Sequence, residues 1–172
     1  MTVSPNFSDF QKEYEAGRNQ VVFSKLTSDL ETPVSIMLKL AGAKKNSFIL
    51  ESVTGGETRG RYSIIGMEPD LIWKCEGNHS FHSSGKDEFT NIKGNPLTVF
   101  RNILEQSKIN LPDDLPQASA GLFGYFGYDM VRHVEDLPNI NPDKIGLPDA
   151  MFIRPTIIAV LDGVKGLSLI HI

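Results

Sequence analysis

Cysteine is nearly missing from this sequence: Cys75 is the single one among 172 residues. No internal disulfide can form, and a chain of this size buries about two-thirds of its unfolded surface without one. Long apolar runs are missing too. The longest, Thr156 to Leu161, falls far short of the ~20 residues a membrane-spanning helix needs. Met1 to Phe10 has neither a basic start nor an apolar stretch, so it does not read as a secretory signal. With no disulfide and no leader, the expectation is a cytoplasmic, soluble protein with no membrane partner. Positive charge is in deficit as well. The 17 Lys and Arg against 21 Asp and Glu leave a net charge of −4, which argues against nucleic acid as a partner. A hydrophobic fraction of 40% with 22% charged residues excludes a disordered tail or a coiled-coil rod.

What is present reads as alternating short elements. Asn6 opens a helix with Phe7, Phe10 and Tyr14 on one face and Gly17 as its stop. Thr32-Pro33 starts a second helix that reaches about Ala43 and buries Ile36, Met37 and Leu40. Asn95-Pro96 starts a third, with Leu97, Phe100, Ile103 and Leu104 on its apolar stripe. Strands are predicted over 20–26, 47–53, 61–66, 71–75, 79–83, 89–92, 118–128 and 156–161, with Ser84-Gly85 and Asp162-Gly163 as hairpin turns. Hairpin-like runs of strands with about three helices predict an α+β fold of mostly antiparallel sheet.

Five groups of residues invite a chemical reading. Leu50-Glu51-Ser52 ends an apolar strand ahead of a glycine-rich loop and Arg61-Tyr62-Ser63. A carboxylate beside a hydroxyl at a strand end can clamp an ammonium group, although the same residues also suit an ordinary solvated loop entrance. Gly121 through Asp129 places glycine every third residue among aromatics; this matches neither a dinucleotide nor a P-loop pattern, and close backbone packing is the expected role. His79 and His82 would point to opposite faces of a strand and chelate one metal poorly. Cys75 has no activating neighbour in sequence, and His133 would meet Asp129 only if that segment is helical. No catalytic residue and no metal ligand is therefore assigned.

Three segments then carry a likeness. Phe48-Ile49-Leu50-Glu51-Ser52-Val53, Gly60-Arg61-Tyr62-Ser63-Ile64-Ile65-Gly66, and Gly121 through Asp129 running on to Leu137-Pro138 together resemble the amino-terminal region of anthranilate synthase component I. A version of this layout occurs in the large subunit of aminodeoxychorismate synthase, and a stand-alone amino-acid-binding module is the other alternative. The resemblance implies a lyase of tryptophan biosynthesis that turns chorismate into anthranilate and pyruvate. It further implies Mg²⁺ as cofactor and ammonia from a glutamine amidotransferase subunit, component II. The chorismate and Mg²⁺ residues would belong to a carboxyl-terminal chorismate-binding domain absent from this chain, so the fold is expected to be incomplete and the fragment inactive alone. It also implies that L-tryptophan, as feedback inhibitor, contacts Leu50, Glu51 and Ser52. Residues 1–166 are expected to form that amino-terminal domain. Leu167-Ser168-Leu169-Ile170-His171-Ile172 resembles a translated sequencing adapter and is expected to be a non-native tail, the alternative being the native second strand of the last hairpin.

Overall fold

The computed structural model describes residues 2–51, 61–85, 88–138, 142–163 and 167–171. Helices α1 (Phe7–Glu15), α2 (Pro33–Leu40) and α3 (Pro96–Gln106) stand among strands β1 (Val3–Ser4), β2 (Phe23–Thr27), β3 (Phe48–Leu50), β4 (Tyr62–Glu76), β5 (His79–Ser83), β6 (Thr90–Ile92), β7 (Phe123–Phe126), β8 (Ala150–Asp162) and β9 (Leu167–His171). The pairings β1–β2, β2–β9, β3–β4, β4–β5, β5–β6, β7–β8 and β8–β9 are all antiparallel. The fold is α+β, as the hairpin-like order of strands predicts.

The chain divides into two compact units. The first comprises Met1–Glu68, Ile109–Gly121 and Pro155–Ile172, the second Pro69–Lys108 and Leu122–Arg154. The long strands β4 and β8 contribute a stretch to each.

In the first unit α2 starts where the sequence requires. The Thr32 hydroxyl accepts from the Ser35 N–H while the Ser35 hydroxyl accepts from the Thr32 N–H, a reciprocal cap that satisfies two otherwise orphaned donors. The helix buries Ile36 against Ile65, Met67, Ala159 and Leu161, with Met37 and Leu40 packed at the margin. It ends at Leu40, shorter than expected. Helix α1 has the predicted bounds and the Asn6 cap, yet it buries none of its residues: Phe7 is 76% and Tyr14 71% exposed. Strand β9 pairs with both β2 and β8, so 167–171 completes the hairpin that Asp162-Gly163 announces.

In the second unit β4, β5 and β6 form a meander, and β7 pairs with β8. Asn95 caps α3 by accepting from the Leu97 and Thr98 N–H groups. The helix buries Val99 and Ile103 in a core with Trp73, Cys75, Met130 and Ala150. Leu97, Phe100 and Ile103 of the expected stripe face this core, whereas Leu104 is 43% exposed and Val99 is buried in its place.

Several strand boundaries differ from expectation: β2 begins at Phe23 where 20 was expected, β3 ends at Leu50 where 53 was expected, and β8 begins at Ala150 where 156 was expected. The predicted strands 61–66 and 71–75 are one 15-residue strand, β4. Within it Glu68 takes a left-handed backbone (φ 52°) and its carbonyl accepts from the Thr156 hydroxyl at 2.6 Å. That local twist lets a strand pass Pro69 without ending. The predicted strand 118–128 is instead a 3₁₀ turn at Gln117–Ser119, the four-residue β7, and a second 3₁₀ turn at Tyr128–His133.

Candidate functional site

The Leu50–Glu51 segment lies in the first unit, at the end of β3. This three-residue strand pairs Phe48, Ile49 and Leu50 with Gly66, Ile65 and Ile64 of β4. The approach is close: a Cβ on Gly66 would stand 2.3 Å from the Phe48 ring, so any larger residue there must displace that ring. Leu50 is 51% exposed and Glu51, immediately after it, is exposed too. Ser52, the third predicted residue, lies outside the described residues.

The other root of the β3–β4 connection is Arg61, and here the structure adds a partner that the sequence reading missed. Arg61 Nε donates to Asp162 Oδ1 at 2.9 Å and Nη2 to Oδ2 at 2.5 Å. The Asp162 side chain is only 7% exposed and Arg61 27%. The Gly163 N–H donates to the Arg61 carbonyl at 2.9 Å, and the guanidinium stands 4.9 Å from the Tyr62 ring centre. The hydrogen bond to Asp162 raises the Arg61 pKa above its ordinary value. A planar guanidinium meets a carboxylate in this forked way with fixed direction as well as charge. Asp162 was legible only as half of a turn dipeptide, because its partner is 101 positions away.

A separate open cleft of about 630 Å³ lies in the second unit, lined by Gly77, Asp129, Arg132, His133, Asp136 and Asp149 among others. Its Arg and His side chains already have partners. Arg132 donates to Asp129 at 2.8 Å and to the Leu137 carbonyl at 2.9 Å, and His133 Nε2 lies 3.7 Å from Cys75 Sγ. Asp129 thus pairs with Arg132, not with His133, because a 3₁₀ turn aligns residues three apart. Burial, then the charges of Asp149 and Glu76, push the Cys75 thiol up to about 11. At neutral pH it is a protonated thiol and a poor nucleophile. Asp149 also accepts from the Gly77 N–H at 2.6 Å.

Gly124 and Gly127 serve packing, whereas Gly121 has open space around it and a positive φ of 142°. A Cβ on Gly124 would fall 1.9 Å from the Met151 carbonyl oxygen, and one on Gly127 2.8 Å from that of Asp149. His79 and His82 alternate along β5, which sets them on opposite faces. Among the described residues, no group of three or more His, Cys, Asp or Glu side chains converges as a metal ion requires. These residues do not fit a Mg²⁺ site. Nor, among the described residues, is any helix long and apolar enough to cross a membrane.

No protein-family model matches the chain. Curated relatives do. Anthranilate synthase component 1 of Cereibacter sphaeroides is 54% identical over 165 residues, covering 94% of this chain and 33% of that protein. The Synechocystis protein of the same name is 34% identical over 165 residues, 95% of this chain and 32% of its own length. Among solved structures, anthranilate synthase component I from Streptococcus pneumoniae aligns with a TM-score of 0.53 at 27% identity, over 82% of this chain and 29% of that one. The chain spans about a third of the length of these relatives.

Proposed function

The chain belongs to the anthranilate synthase component 1 family, and from that premise we propose that it forms the amino-terminal, tryptophan-sensing part of an enzyme converting chorismate to anthranilate and pyruvate. Residues 1–166 are the domain in question. The complete enzyme would use Mg²⁺, held by residues outside this chain, and ammonia from a glutamine amidotransferase subunit. The observation that supports this best is the 54% identity across 94% of the chain. At a third of its relatives' length, the chain alone is expected to be inactive.

Within this reading the inhibitory site is built on Leu50, Glu51 and Ser52. The Glu51 carboxylate pairs with the ammonium of tryptophan, the Ser52 hydroxyl takes a further hydrogen bond, and Leu50 flanks the indole. Leu50 and Glu51 are exposed at a strand end, where a second wall contributed from outside this chain can close on the ligand. A ligand held by both walls shifts the enzyme only as far as it binds the inactive arrangement more tightly than the active one. With one wall missing, the indole stays partly in water and most of the affinity is lost.

The test joins this chain to the remaining two-thirds of the Cereibacter sphaeroides relative and follows anthranilate fluorescence with chorismate, ammonia and Mg²⁺. Turnover that tryptophan suppresses is expected from the chimera, and none from the chain alone. Turnover by the chain alone, or a chimera blind to tryptophan, would overturn the corresponding half of the proposal. In the chimera, Glu51→Ala removes a charge-assisted bond of about 1.5–3 kcal/mol, so tryptophan should bind about ten- to a hundredfold more weakly.

A further inference from the structure

The two roots of the β3–β4 connection are held by different means. Glu51 follows Leu50, the last residue of a three-residue ladder whose other members are Phe48 and Ile49. So short a ladder fixes its end weakly, since strand ends open locally at low cost. The opposite root is fixed three times over: by the forked Arg61–Asp162 pair, by the Gly163 N–H on the Arg61 carbonyl, and by the guanidinium against Tyr62.

An ion pair with one member this buried is weak evidence for net stability, because apolar residues of similar volume often serve as well. What a forked pair adds is direction. Asp162 closes β8, and Arg61 precedes the start of β4, the strand on which β3 rests. The pair therefore anchors the residue that leads into the strand beside which Leu50 and Glu51 emerge. A carboxylate on an exposed residue binds an ammonium well only if little freedom is left to lose when the ligand arrives.

We propose that Asp162, acting through Arg61, is a positioning residue that sets where Glu51 presents its carboxylate to the ammonium group of an amino-acid ligand. This rests on the reading of Glu51 as the head-group clamp. It adds that the clamp is preorganised by a charge pair that never touches the ligand.

Tryptophan titrated calorimetrically into the chimera described above tests this with four variants: Asp162→Asn, Arg61→Lys, Glu51→Gln, and the double variant Glu51→Gln with Asp162→Asn. Asp162→Asn and Arg61→Lys, each of which destroys the charged fork, should weaken tryptophan about tenfold. The double variant should bind no more weakly than Glu51→Gln alone, because a positioning residue has nothing left to position. That non-additivity separates positioning from a general loosening of the fold, which would add in full. Should Asp162→Asn fail to fold by its thermal transition, Arg61→Lys, which retains the cation, carries the same comparison in pair with Glu51→Gln. Affinity within twofold of the parent in Asp162→Asn or Arg61→Lys, or full additivity with Glu51→Gln, overturns the proposal. Glu51→Gln binding as the parent does would instead overturn the underlying clamp reading, so the two failures are distinguishable.

Discussion

The two units of this chain are built from different materials. The first has an aliphatic core of Ile36, Ala41, Ile65, Met67, Ala159 and Leu161, and its most deeply placed ionised side chain, Asp162, is matched by a forked guanidinium. The second is aromatic. Trp73 is fully buried and lies 4.8 Å from the Phe100 ring; Phe100 lies 4.6 Å from Phe152, which lies 4.7 Å from Phe126. Aliphatic side chains fill a core by volume and tolerate exchange, whereas rings packed at tilted angles depend on shape and orientation. The first unit therefore fills its core with small, exchangeable side chains. The second concentrates its apolar surface in a few large, unforgiving contacts.

The largest expected effect follows from that contrast. Trp73→Ala should cost about 3–5 kcal/mol, while Ile65→Val in the first unit should cost about 0.5–1.5 kcal/mol. Urea unfolding followed by circular dichroism reads both. Comparable costs for the two would break the distinction. Gly124→Ala comes next, at about 1–3 kcal/mol, because the added methyl meets the backbone oxygen of Met151 at 1.9 Å. Gly66→Ala in the first unit should cost less, since its nearest neighbour is the outer edge of the Phe48 ring. If Gly66→Ala proved the costlier, the first unit would be as intolerant of added volume as the second.

A pH effect sharpens the comparison further, as Cys75 belongs to the aromatic core. Its thiol titrates near about 11 in the folded chain, against an ordinary value of 9.0. The unfolded chain therefore loses that proton first. The stability this thiol contributes is full below pH 9 and is lost as pH rises through the folded value, a drop of about 1–2 kcal/mol. Cys75→Ala should flatten thermal stability over that range. An unchanged pH profile would show that the thiol is not held in the apolar environment its position implies.

How much of this was legible beforehand depended on range. The caps at Asn6, Thr32 and Asn95 were readable because capping is settled within four residues. The packing role of Gly124 and Gly127 followed from glycines set among aromatics. The continuity of β4 was not legible, since Pro69 is a local stop signal and a left-handed Glu68 carries the strand past it. Nor was the exposed stripe of α1, because periodicity reports that a face is apolar and not that anything covers it. At the candidate site, Leu50 and Glu51 were legible as a local motif. Asp162 was not, because its meaning lies in a partner 101 residues distant.

The smallest effect is expected where charge is exposed, and it separates the pinned pair from ordinary ion pairs of the same unit. Lys25 and Asp114 are also paired, yet their side chains are 43% and 53% exposed. The hydrogen bond from Lys25 holds the Asp114 carboxyl below its ordinary pKa of 3.8. A depressed carboxyl contributes stability above its unfolded value, and that contribution fades as pH falls through the folded one. In water, however, the attraction is screened and two flexible side chains must be ordered, so Asp114→Asn should change the urea midpoint by no more than about 0.5 kcal/mol equivalent. Asp162→Asn strands a guanidinium against a nearly buried, neutral amide and should cost several times more. Equal effects from the two substitutions would mean that burial of Asp162 adds nothing to its pairing, and the argument that this pair has a directional task would lose its physical basis.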